Sequence, residues 1–134
     1  MTGMEPLAYL AVRIITCASW IAAGVHAATH FGKTAAGMAD KGIPLPTLAL
    51  PIVLLMEFGG TALVFADQYT WAVCLVWIAF LFLATCFYHL RWVTPEGAFD
   101  FFQYTQVWKN LSMVGGLIAL ILLDPSRPDW LLRG

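Results

Sequence analysis

Charge is what this sequence has least of. Only 11% of its 134 residues are Asp, Glu, Lys or Arg, against about 25% in a water-soluble domain. A chain of this size exposes much of its surface, and seven basic plus eight acidic side chains cannot cover it in water. That shortage excludes a soluble globular fold and makes lipid the surrounding solvent. It also excludes nucleic acid as a partner, since a net charge of −1 supplies no basic field to hold phosphates. Cysteine is equally sparse. Cys17, Cys74 and Cys86 are widely spaced within apolar runs and form no CxxC, which excludes the usual dithiol redox motif and leaves inert buried thiols as the expectation. A basic leader is missing too: Glu5 is the only charge before the first apolar run, which is too long for a signal-peptide core.

What is there is apolar: 60% of the residues are hydrophobic and the mean hydropathy is +0.77. A crossing of the hydrocarbon takes about 20 residues, and the runs divide into four spans, at about 7–30, 47–66, 70–92 and 104–123. Pro6 suits the first turn of the first helix; Pro95 and Gly97 stop the third, and Asp124, Pro125 and Pro128 stop the fourth. Only Asp67, Gln68 and Tyr69 separate spans two and three, a tight helical hairpin. The other two connections, FGKTAAGMADKGIPLP and WVTPEGAFDFFQY, are long, polar and aromatic. The expected architecture is all-α, an integral membrane four-helix up-down bundle with both long connections on one face and a short interfacial helix at about 34–41. Lys33, Lys41, Arg91 and Lys109 lie toward that face, against Arg127 and Arg133 on the other, so the positive-inside rule puts the long loops in the cytoplasm.

Three segments carry a family resemblance. The helix with Arg13, the loop containing FGK and GIPLP, and ALPIVLLMEFGGTALVF with Glu57 ahead of paired glycines are similar to the DoxX family of small four-helix bacterial membrane proteins. The closing WKNLSMVGGLIALILL, with Lys109 and Asn110 before Gly115 and Gly116, resembles that family's last segment. The resemblance implies one DoxX-like transmembrane domain over 1–134, placed in the bacterial inner membrane. It also implies a link to membrane redox chemistry, in which relatives serve as quinone-linked or accessory subunits of larger complexes. Arg13, Glu57, Lys109 and Asn110 fall on matching positions; His26, His30 and His89 depart from the pattern.

Read as chemistry, the few polar residues inside the spans are the candidates. A carboxylate inside a span is costly unless paired or protonated, and Arg13 and Glu57 lie at comparable distances from the starts of their helices. They are expected to form an intramembrane ion pair, with a proton-accepting or ligand-anchoring role for Glu57 as the functional reading. His26 and His30, at i and i+4, share a helical face. With His89 they are candidate metal ligands, and His26 with His89 would suit a bis-histidine haem. A quinone needs an apolar slot, aromatic walls and polar groups for its carbonyls. Glu57, His30, His89 and Lys109 are the candidate head-group contacts, beside Trp20, Phe31, Trp92, Tyr104 and Trp108, which also suit an interfacial belt. Gly24, Gly59, Gly60, Gly115 and Gly116 suit close helix approach. Two functions follow as expectations: a membrane subunit of a redox-linked complex that binds a quinone or other lipophilic electron carrier, or a non-catalytic accessory subunit packed against partner membrane proteins.

Overall fold

The computed structural model describes residues 5–132; Arg133, counted above in the charge balance, lies outside them. Apolar runs without water to satisfy their backbone must close their hydrogen bonds internally, and each span is helical. Helix α1 covers Glu5–Thr29, α2 Phe31–Asp40, α3 Pro46–Phe65, α4 Thr70–Ala84 and α5 Phe101–Leu123. A π-helical turn, Thr85–His89, extends α4, and a 3-10 turn, Asp129–Leu132, follows α5. The four long helices, counting α4 with its π turn, are apolar and long enough to cross a membrane. The third crossing ends at His89 rather than 92, and the fourth starts at Phe101 rather than 104, because Asp100 caps α5 by accepting from the Gln103 amide at 3.0 Å. The short helix expected at about 34–41 is α2, which starts three residues and ends one residue earlier.

Helix α1 packs chiefly on α3, and α4 on α5, with α1 also touching α5. Without hydrophobic exclusion between helices in lipid, close packing holds them. Its centre is a stack of Trp20 on Trp77, with ring centroids 4.4 Å apart and planes 14° from parallel. Gly60 makes room for it: a Cβ there would meet Trp77 and Val73 at 3.0 Å. Gly24 is similarly hemmed in by Phe58, whereas Gly115 and Gly116 have no neighbour within 4 Å and face outward. Cys17 and Cys74 are fully buried in this core, but Cys86 is exposed, because the π turn carries it to the outer surface. Leu7, Ile15, Leu55 and Phe82 are among the large apolar side chains that face outward.

The short-turn end is built from charged side chains that close helix ends. Arg13 donates through Nε to the Val64 carbonyl at 2.9 Å and through Nη2 to the carbonyls of Val64 and Phe65, satisfying the C-terminus of α3. Its Nη1 lies 3.5 Å from Asp67, which also accepts from the Tyr9 hydroxyl at 2.8 Å. Across the bundle, the buried Asp124 accepts from the Trp71 amide at 2.8 Å and so caps the start of α4 from the end of α5. Its other oxygen takes the Ser126 amide and hydroxyl. At the opposite end, Val93 and Phe99 form an antiparallel bridge that folds the last connection over α5, and Gly97 adopts a φ of +83° at its tip.

Candidate functional site

Arg13 and Glu57 are not an ion pair. Their distances from the two helix starts are comparable, but neighbouring antiparallel helices start at opposite membrane faces. Val64, which Arg13 holds, lies two turns beyond Glu57, about 10 Å along α3 at 1.5 Å per residue. The free carbonyls at the end of α3 and the Asp67 carboxylate take the guanidinium instead. Glu57 is left only 4% exposed, and its Oε2 has no hydrogen-bond partner.

That carboxylate lines a cavity of about 430 Å³. Helix α1 contributes Ala23, His26 and Ala27; α2 contributes Thr34 and Met38; α3 contributes Ala49, Leu50, Val53 and Glu57. Phe80, Leu83 and Ala84 come from α4, and Phe87 and Tyr88 from the π turn. Apart from Glu57 deep inside and His26, Thr34 and Tyr88 nearer the long-loop end, the walls are apolar. Leu83 and Phe87 are themselves exposed, so the cavity opens sideways to the surrounding lipid. Its size and lining fit one lipophilic small molecule. Helix α2 is seated over the long-loop end by Ala35 and Met38, which pack with Leu50 against Ala27, Ile43 and Tyr88.

Of the remaining sequence candidates only His26, at the rim, lines it. His26 and His30 stack with centroids 4.6 Å apart, and both are exposed; His30 Nδ1 lies 3.1 Å from the His26 carbonyl oxygen and 3.0 Å from Thr29 Oγ1. His89 is tied to α5, with Nδ1 2.7 Å from the Gln103 Oε1 atom, and its carbonyl accepts from the Trp92 indole. Lys109 is exposed on α5, while its neighbour Asn110 is buried and donates to Thr85 Oγ1 at 3.0 Å. Among the described residues no three His, Cys, Asp or Glu side chains gather as a metal would require, His26, His30 and His89 included. Of the candidate head-group contacts, Glu57 alone lines the cavity; His30, His89 and Lys109 do not.

Sequence reasoning missed Phe87 and Tyr88, whose positions depend on the π turn. It also missed Asp67 as the partner of Arg13 and Tyr9 and Asp124 as the cap of α4, although each is the first charge after its span.

Comparison with known proteins agrees with this architecture. The DoxX family model matches residues 8–90, which hold nearly all of α1 to α4 and every residue that lines the cavity. The inner membrane protein YqjF of Escherichia coli strain K12 is 27% identical over 126 residues, covering 94% of this chain and 91% of that protein. No solved structure matches the chain.

Proposed function

This chain belongs to the DoxX family and is a multi-pass protein of the inner membrane, and from that premise we propose that it is the membrane subunit of a redox-linked complex, holding a quinone or similar lipophilic electron carrier in the cavity above Glu57. The observation that carries this reading is the buried, unpartnered Glu57 oxygen in an otherwise apolar cavity open to lipid. Such a carrier brings two-electron chemistry coupled to protons. The chain's own part is to admit it from the bilayer past Leu83 and Phe87, to exclude water with apolar walls, and to hold or accept a proton at Glu57. His26 at the rim is the next group that can relay a proton toward the long-loop face.

Purification in mild detergent, followed by analysis of extracted lipophiles and an optical difference spectrum, tests the proposal. About one quinone per chain, lost in Glu57→Ala, is the expected result. A colourless protein free of quinone that co-purifies with a large enzyme contradicts it and favours the accessory reading. One feature supports that second reading: Ser112, Gly115, Gly116 and Ala119 make an exposed small-residue strip on α5, the kind of surface on which another membrane helix packs closely.

A further inference from the structure

We propose that the molecule in the cavity enters head first and that its head is a hydrogen-bond donor, a hydroxyl or amine, which binds the Glu57 carboxylate. This deepens the preceding proposal and rests on it for the existence of a lipophilic occupant.

The argument begins with an acceptor that lacks a donor. Glu57 Oε2 is buried without a partner, and a carboxylate in hydrocarbon stays ionised only when something donates to it. No donor of the chain bonds to it, and the two buried donors one helical turn away, Trp20 Nε1 and Thr61 Oγ1, are themselves without partners. Arg13 is committed to the end of α3 and to Asp67, and Lys109 is exposed on α5. Gly24, which faces the carboxylate from α1, carries no side chain: a Cβ there would already sit 3.1 Å from Oε2. The missing donor therefore comes with the occupant.

Two orientations compete. A polar depression lined by Asp40, Lys41 and Arg91 shares Phe87 and Tyr88 with the cavity wall. An anionic amphiphile would leave its head there, near the two cations, and thread its tail inward. That arrangement puts hydrocarbon against the Glu57 carboxylate and leaves the acceptor unpaired, whereas a donor head placed deep satisfies it. From Glu57 to Leu50 near the outer end is two helical turns, about 10 Å, room for one ring or a short chain behind the head. Apolar walls then cover the body, and Leu83 and Phe87 mark where a longer tail leaves for lipid.

Equilibrium dialysis of the purified, detergent-solubilised chain at pH 8 without oxygen decides the matter with four probes built on ten-carbon chains: decyl hydroquinone, decylamine, the oxidised decyl quinone and decanoate. The two donors are expected to bind at least tenfold tighter than the two acceptors. In Glu57→Gln, whose amide both donates and accepts, decylamine is expected to weaken at least tenfold while the oxidised quinone gains. Val53→Trp, which fills the cavity above the carboxylate, should release all probes. Binding without discrimination between heads, a preference for decanoate or the oxidised quinone, or an unchanged order in Glu57→Gln overturns this inference and leaves the cavity as a lipophile site. Probes retained by Val53→Trp overturn it as well, because they then bind elsewhere. If wild type binds none of the four, both this inference and the carrier-binding reading fail.

Discussion

Gly24 of α1 lies against the carboxylate of Glu57 on α3, so close that a Cβ at position 24 would stand 3.1 Å from Oε2 and 2.9 Å from the Phe58 ring. The Phe58 ring is partly exposed and can swing toward lipid, whereas the carboxylate is enclosed. Gly24→Ala therefore moves Glu57 by a few tenths of an ångström while gaining about 1 kcal/mol of helix propensity. Ligand retention should fall about tenfold, a change of about 1.4 kcal/mol, with little change in the thermal midpoint. Unchanged retention would show that the glycine serves helix packing only.

Arg13 closes the end of α3 and pairs with Asp67. Double-mutant cycles should give a coupling of roughly 0.5–1 kcal/mol between Arg13 and Asp67, modest because Asp67 is half exposed. Arg13 and Glu57 should instead be additive to within about 0.5 kcal/mol. A large Arg13–Glu57 coupling would restore the ion pair that the sequence suggests and the geometry denies. Arg13→Ala alone should cost more than Asp67→Ala, because it also strips the Val64 and Phe65 carbonyls.

Two glycine positions separate packing from surface. Gly60→Ala drives a methyl into Trp77 and Val73 at 3.0 Å, and Trp77 cannot retreat because Trp20 is stacked on it. Overpacking of this kind costs about 1–3 kcal/mol. Gly115→Ala meets nothing within 4 Å and should be neutral or slightly stabilising. Unfolding in detergent measures both, and equal effects would refute the assignment.

Asp124 holds the start of α4 from the end of α5. Asp124→Ala leaves the Trp71 amide and both Ser126 donors without their acceptor, a loss of about 1–3 kcal/mol. The fraying should show as faster hydrogen exchange at the first turn of α4. Protection at Trp71 equal to wild type would mean that the cap contributes nothing.

The four crossings and the interior Glu57 were legible in the sequence because hydropathy and charge scarcity report directly on lipid. Which groups meet was less legible, for two physical reasons. Depth counted from helix starts runs from opposite faces in antiparallel neighbours, so Arg13 and Glu57 only looked level. The π turn at Thr85–His89 breaks the 3.6-residue period, so it was not visible that Phe87 and Tyr88 would face the cavity while His89 turned to Gln103. His26 and His30 share a face as their spacing requires, but that face is exposed, and no periodicity argument says which side of α1 lipid will take.

The central claim is that a lipophilic molecule sits above Glu57, and photo-crosslinking locates it most directly. A hydroquinone analogue with a diazirine on its tail, irradiated with the purified chain and mapped by peptide mass spectrometry, should label Leu50, Val53, Phe87 or Tyr88. Excess unlabelled decyl hydroquinone should suppress that labelling. Labels confined to the outer faces, such as Leu55, Phe82 or the Gly115 side of α5, and insensitive to the competitor, would contradict the account.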